Sequence, residues 1–412
     1  MGKLFKIAVR NLLRYKRRTF LTASLITIGV IFVLVFISVS GSFKTMMISQ
    51  ITDSMLGHVQ IHKKGYVAAI DNLPLNLNLR PQAVKRLEDI LNNDRDVEAY
   101  SPRIKFGGMF SNFVETTNIR LNGVDPDREF KTIPLLASRI SAGRKTIVKG
   151  EILIPELLSK GMGVKVGDTV VIVTTNKDGS VNGQQFTVSG ILESATGPGG
   201  RDGYVHIEDA RELLRMTEPE VSEMAVRLKD FGKLHPFSTR LEKSLSTELN
   251  KEGKPVFEVH PWEKLSPFYH LSRMIDLMTF FIKLMLIAIV LISIMNVMIM
   301  AVYERIREIG TIAAIGTPPA KILSMFVIEG FCLGIFGTVI GNILGSIIIY
   351  IINASKITFD FAMHQGLILS AHIKPSDIIS ISVIVIVVSV IASLQPAFKA
   401  SRMEPIIALR HV

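Results

Sequence analysis

The sequence predicts an α-helical membrane protein with four transmembrane helices, one N-terminal and three C-terminal. A large extracytoplasmic mixed α/β domain is expected between the first and second. Three observations lead there. Residues 19–43, 284–303, 330–354 and 378–398 contain no Asp, Glu, Lys or Arg; about 20 apolar residues suffice to cross the hydrocarbon core. The 412-residue chain is 48% hydrophobic, yet carries a net charge of +11, so its charge must be concentrated outside those runs. That excess borders the apolar runs. Lys3, Lys6, Arg10, Arg14, Lys16, Arg17 and Arg18 precede residue 19 with no acid among them, whereas residues 42–272 hold 30 basic and 29 acidic residues. Lys and Arg accumulate on the cytoplasmic side, which places both termini and the 303–321 loop inside and residues 42–272 outside.

In chain order, residues 1–18 read as a cytoplasmic amphipathic helix. Lys3, Lys6, Arg10, Arg14 and Arg17 recur at three- and four-residue spacing, with Leu4, Phe5, Leu12 and Leu13 elsewhere on the wheel, a pattern suited to the inner headgroup plane. A plain basic flank gives the same topology. The first transmembrane helix is 19–43, longer than the apolar region of a cleaved leader. The outside domain is 44–272. Within it, residues 81–93 have helical spacing with Pro81 at the start, and 207–216 and 237–249 also read as helices. Residues 58–62, 168–175, 184–192 and 223–228 read as strands. The polar stretch 176–184 has turn chemistry and predicts a β-hairpin, and the Gly-rich 196–203 predicts a loop. The second transmembrane helix is 273–302, the third 321–354 and the fourth 376–397, with a short outer loop 355–375 and a tail 398–412. His364 and His372 of that loop read as solvated.

Two patterns inside the membrane segments go beyond apolarity. Gly330, Gly334, Gly337, Gly341 and Gly345 fall on one helical face. Small residues in this register let backbones approach closely in lipid, and the expected neighbour is the fourth or second span. The second span is rich in methionine, a flexible residue suited either to ordinary packing or to an apolar cavity.

Much chemistry is absent from the sequence. There is no Gly-x4-Gly-Lys-Ser/Thr loop to cradle nucleotide, no His-x-x-Glu-His-type zinc spacing and no Gly-x-Ser-x-Gly elbow. His58 and His62 stand four apart without an acidic or Cys partner nearby in sequence, which favours an exposed or strand position over a metal site. The single Cys332 lies in an apolar run and excludes a disulfide framework. Basic charge at membrane borders is explained by topology and anionic headgroups, so no nucleic-acid partner is expected. Glu329 near the inner end of the third span is expected to cap or to pair with a nearby Arg. The remaining anomaly is the charged segment 303–320 between apolar runs. Gly316 and Pro318-Pro319 end it. Ile306, Ile309, Ile312 and Ala313 form an apolar stripe, with Glu304, Arg305, Arg307 and Glu308 mainly off it. A short charged helix on the cytoplasmic face suits docking by a partner protein.

The segment "YERIREIGTIAAIGT" resembles the signature of the FtsX/MacB/LolC-type ABC permeases, and the resemblance extends to "IEGFCLGIFGTVIGNILG", "AVRNLLRYKRRTFLT", "GVKVGDTVVI" and "PAFKASRMEPIIALR". The chain is most like the lipoprotein-releasing LolC/LolE permeases, in the order of "QQFTVSGILESATGPGGRDGYVHI" and in lacking a fused ATPase. The resemblance implies a bacterial inner-membrane permease that dimerises with a second copy or a paralogue. It would sit on a cytoplasmic ABC ATPase dimer that binds ATP and Mg, with no cofactor or metal of its own. Residues 303–317 would then be the coupling helix, through Glu304, Arg305, Arg307, Glu308, Ile309, Gly310 and Gly316. The hairpin 174–185, with Asn176, Lys177, Asp178, Gly179, Asn182 and Gly183, would correspond to a hook that recruits a periplasmic carrier. Acyl chains of a lipoprotein would lodge near Phe32, Phe36, Met278 and Met285. MacB-like efflux and FtsX-like regulation of a periplasmic enzyme are the alternatives. Trp262, in "HPWEKLSP", is expected at the membrane interface or in the core of the outside domain.

Overall fold

The computed structural model describes residues 10–12, 14, 16–194, 201–249, 253, 255–361, 364–368 and 370–404. The chain divides into two compact units, one of residues 1–45, 273–359 and 366–412, the other of residues 46–272 and 360–365.

Among the described residues, four helices are long and apolar enough to cross a membrane: Lys16–Ile51, Phe268–Glu304, Pro319–Ala354 and Pro375–Ser401, here the first to fourth spans. Arg10, Asn11, Leu12 and Arg14 are helical, while Lys3, Leu4, Phe5, Lys6 and Leu13 lie outside the described residues, as do Pro405, Ala408 and Leu409 of the tail. The third span is central, and its glycines explain why. A Cβ on Gly330 or Gly334 would lie 2.6 or 2.8 Å from the Cβ of Ser393 or Ser389 in the fourth span. A Cβ on Gly337 or Gly341 would lie 2.8 or 2.7 Å from the Cβ of Ile26 or Val30, and one on Gly345 would lie 2.8 Å from Leu34 Cδ2, all in the first span. The expected close packing is present. Its partners are the fourth span at Gly330 and Gly334 and, farther along the same face, the first span at Gly337, Gly341 and Gly345. The second span instead meets the first, where a Cβ on Gly29 would come within 2.9 Å of Leu286. The Thr27 hydroxyl donates to the Gly337 carbonyl (3.3 Å) and the Asn342 amide to the Ser382 hydroxyl (2.9 Å), adding polar ties between spans. The outer loop contains a two-stranded hairpin, Thr358–Phe361 with His364–Ile368, where only a loop was expected. The backbone N–H of His372 donates to Ser42 Oγ.

The second unit is built on a ten-stranded mixed sheet. Its strands are β1 Val59–Lys63, β2 Val97–Ser111, β3 Thr116–Val124, β4 Ile140–Gly143, β5 Glu151–Pro155, β6 Thr169–Thr175, β7 Val181–Leu192, β8 Gly203–His206, β9 Glu223–Leu228 and β10 Phe257–Pro261. Their order is β10-β1-β9-β2-β3-β8-β5-β7-β4, with β6 bridging β2 and β7. The four predicted strands and the β6–β7 hairpin are present. The longest strand, β2, was not anticipated. Pro102 and Gly107-Gly108 interrupt its pattern, and such residues read as breakers. The fold needs the second glycine, since a Cβ on Gly108 would lie 2.8 Å from the Val173 carbonyl oxygen of the antiparallel neighbour β6. The helix Pro81–Asn93 starts at its proline and buries Leu87 and Leu91. The other two predicted helices occupy Ile207–Leu213 and Leu234–Leu245. Of the expected Gly-rich loop, residues 196–200 lie outside the described residues, and Gly203 opens β8. Trp262 is buried in the main core and meets Tyr269 edge-on at 6.4 Å.

Candidate functional site

The charged segment forms the helix Ile306–Ala314, separated from the second span by one residue, Arg305, with φ −111° and ψ 17°. At its far end Gly316 adopts φ +92°, a conformation that strains any side chain bearing Cβ. Pro319 then occupies the first turn of the third span. The helix is thus bounded by a backbone break on each side.

A buried knot lies at the first break. Arg305 and Glu329 are only 4% and 1% exposed, and Arg305 Nη1 donates to Glu329 Oε1 at 2.9 Å. The same carboxylate oxygen accepts from Asn11 Nδ2 at 2.8 Å. The carboxylate of Glu308 forms an outer layer, 3.3 Å from Arg14 Nη1 and 3.7 Å from Arg305 Nε. Three segments far apart in sequence therefore meet on one carboxylate. Such an arrangement satisfies a charge that would otherwise be prohibitive to bury. Glu329 pairs with an Arg as expected. The sequence signal was the coincidence of an acid and an Arg at the borders of apolar runs, and the Asn11 contact had none.

The segment's candidate residues separate into two faces. Of the expected coupling residues, Arg305, Ile309 and Gly310 are buried within the chain. Glu304, Arg307, Glu308 and Gly316 are exposed. Ile312 of the apolar stripe is also exposed. Ile315, which the stripe omitted, is 80% exposed. Ile315 is the C-cap, past the last helical residue Ala314, where a helical stripe no longer applies. The outer face thus offers cationic and acidic groups around two bare isoleucines, a composition typical of a protein-docking surface.

Phe32, Met278 and Met285 are 57%, 48% and 59% exposed, and Phe36 stacks on Phe32 at 6.5 Å between ring centroids. These residues form outward apolar faces of the first two spans and not an enclosed cavity. In the other unit, the 176–180 turn is closed by Asn176 N–H donating to the Ser180 carbonyl (2.8 Å), with Gly179 at φ +87°. It lies against the 213–220 stretch: Lys177 pairs with Glu220 at 3.1 Å and the Asn182 amide donates to the Leu213 carbonyl at 2.9 Å. Asn176 is buried; Gly183 is exposed. Only residues 177–179 stand out at the tip, flanking a cleft of about 310 Å³.

Sequence reasoning missed a second buried ionic cluster, also without local signal. Arg103 on β2 is ion-paired with Glu129 (2.9 Å) and Glu223 on β9 (3.0 Å), and all three are buried. Burial raises the affinity of Glu223 for a proton, but Lys105, His62 and Arg103 outweigh it and hold its carboxyl well below the usual range. His62 is fully buried, stacked on Tyr66 and 3.4 Å from Glu223. His58 is buried too, its Nδ1 accepting from Leu228 N–H at 3.0 Å. His62 is thus an interior residue of β1, as a strand position allows, and His58 is buried just before it; neither is exposed. Among the described residues, no three His, Cys, Asp or Glu are placed to hold a metal ion.

Known proteins share both parts. Residues 19–243, more than half of the chain, match the MacB-like periplasmic core domain, and residues 280–405 match the FtsX-like permease C-terminal family. The lipoprotein-releasing system transmembrane protein LolC of Neisseria meningitidis serogroup B is 24% identical over 94% of this chain and 92% of its own. The macrolide export ATP-binding/permease protein MacB of Nitrobacter winogradskyi is 27% identical over 56% of this chain and 34% of its own. Among solved structures, the periplasmic region of MacB from Actinobacillus actinomycetemcomitans covers 54% of this chain and 94% of its own, with 12% identity and a TM-score of 0.35. One family match takes in the first span and most of the α/β unit, the other most of the last three spans, and the chain belongs to the LolC/MacB/FtsX type of ABC transporter permease.

Proposed function

We propose that this chain is the permease of an inner-membrane ABC transporter that releases lipoproteins toward the outer membrane. In this reading both termini and the Ile306–Ala314 helix are cytoplasmic and the α/β unit is periplasmic. A separate ABC ATPase dimer binds ATP and Mg and supplies the work; this chain transmits it and needs no cofactor. The observation that carries the reading is the face of Ile306–Ala314 and the turn after it. It presents Ile312 and Ile315 among Arg307 and Glu308, while its opposite side is pinned internally. A second permease copy, identical or paralogous, would cover the exposed Phe32, Met278 and Met285, which then line an acyl-chain site. The LolC similarity over nearly the whole chain supports lipoprotein cargo over efflux or enzyme regulation. The turn 176–180 is the candidate carrier contact through Lys177, Asp178 and Gly179, although it stands less free than a projecting hook.

The test is mild-detergent purification of the tagged chain from its host, followed by mass spectrometry. The proposal expects an ABC ATPase together with a lipoprotein or its soluble carrier. An ATPase with a periplasmic adaptor and an outer-membrane channel would replace lipoprotein release by efflux. Recovery of no ATPase would overturn the permease reading.

A further inference from the structure

We infer that Glu329 is a positioning residue through which the Ile306–Ala314 helix drives the third span. This rests on the permease reading above and adds the path of the force. A break in the i→i−4 hydrogen-bond ladder is where a helix kinks. The ladder from the second span is interrupted at Arg305, so that span is not a rigid extension of the cytoplasmic helix. The backbone link to the third span is also soft, passing through Gly316 at φ +92° and Pro318-Pro319. What bridges the joint is side chain. Arg305 reaches Glu329, ten residues into the third span, at 2.9 Å, roughly 15 Å along that helix. Asn11 closes the same oxygen from the N-terminal segment. Ile309, Ile322 and Phe326 belong to the buried cluster around it. The third span then packs through bare backbone against the first span at Gly337 and Gly341 and against the fourth at Gly330 and Gly334. A shift delivered at Glu329 is thereby shared among three spans, with little side-chain slack to absorb it.

The experiment uses the complex purified with its own ATPase and placed in nanodiscs, in a Cys332→Ser background. Single reporter cysteines are introduced as Ser355→Cys at the end of the third span and Met274→Cys near the start of the second; both native residues are exposed. The readout is the rate of reaction with a membrane-impermeant maleimide, with and without ATP and vanadate. With the knot intact, the rate at position 355 should change roughly fivefold or more, within the usual range of coupling between sites. The double variant Arg305→Met/Glu329→Leu replaces the pair by apolar groups without stranding a buried charge, a swap that commonly preserves folding. It should abolish the response at 355. Glu329→Gln, which keeps the shape and an acceptor for Asn11, should weaken it. An undiminished response at 355 in both variants would show that the knot is structural only and overturn the inference. Absence of any response at 355 and 274 with the knot intact would count against the permease reading itself.

Discussion

Arg103→Ala should lower the unfolding midpoint of the α/β unit by roughly 10 °C, the product of a 3–5 kcal/mol loss and a few degrees per kcal/mol for a unit of this size. Arg103 is buried between Glu129 and Glu223, and its guanidinium contacts both at 2.9 and 3.0 Å. Lys105, at 3.4 Å from the other oxygen of Glu223, does not reach Glu129 in the same way. Removing Arg103 therefore leaves a carboxylate inside the sheet without its cation, and also removes the tie between β2, β9 and the helix Pro126–Thr132. Arg240 is the comparison. It contacts Asp94 and Asp96 at 2.8 and 3.0 Å but is more than half exposed. Water replaces such a pair at little cost, so Arg240→Ala should lose about 1 kcal/mol or less. Thermal melts of the full chain in detergent, followed by proteolysis of the α/β unit, check both.

The second large effect belongs to the glycine face. Gly341→Ala and Gly337→Ala should each destabilise the membrane unit by about 1–3 kcal/mol, the usual range for forcing extra volume into a packed core. A Cβ at 341 would lie 2.7 Å from Val30 Cβ, and one at 337 would lie 2.8 Å from Ile26 Cβ. Both neighbours are β-branched, rigid at χ1 and fully buried, so the first and third spans must separate. Gly345→Ala should be milder, because the nearest atom is Leu34 Cδ2 at 2.8 Å, the end of a side chain that can swing aside. Gly41→Ala meets nothing within 4 Å and should be close to neutral. The order of detergent melting midpoints decides this: Gly41→Ala highest, then Gly345→Ala, with Gly341→Ala and Gly337→Ala lowest. Equal midpoints for all four would contradict the packing described for the third span.

The elements legible in the sequence were those whose signal is local. Four uncharged runs became four long helices. The Pro81 start, the alternation of residues 168–175 and the turn chemistry of 176–184 each gave an element near its place. The five glycines revealed close packing and one of its partners, the fourth span, yet not the first, because a helical wheel shows a face and not what lies opposite. The strand β2 was hidden by Pro102 and Gly107-Gly108, which read as breakers, although Gly108 answers to the close approach of the neighbouring β6. The ionic clusters were hidden for the same reason. Glu223 is 120 residues from Arg103, and Asn11 is 318 from Glu329. Only tertiary structure joins them. At the candidate site, sequence found the charged helix and its glycine and proline stop. It did not separate the buried Arg305, Ile309 and Gly310 from the exposed Glu304, Arg307 and Glu308, and it missed Ile315, which lies past the helix end at Ala314.

The most direct test of the central claim is ATP hydrolysis by the complex that co-purifies with Ile315→Glu, compared with the unaltered chain. Ile315 is bare in the isolated chain, and a carboxylate there would be driven into an apolar contact if an ATPase sits on it. The expected result is a loss of bound ATPase and of its vanadate-sensitive hydrolysis by roughly tenfold or more, the size of a hot-spot contact. Membrane insertion and the melting midpoint should stay unchanged. Equal ATPase recovery and equal hydrolysis with Ile315→Glu would show that the helix Ile306–Ala314 and the turn behind it are not where this permease receives its power.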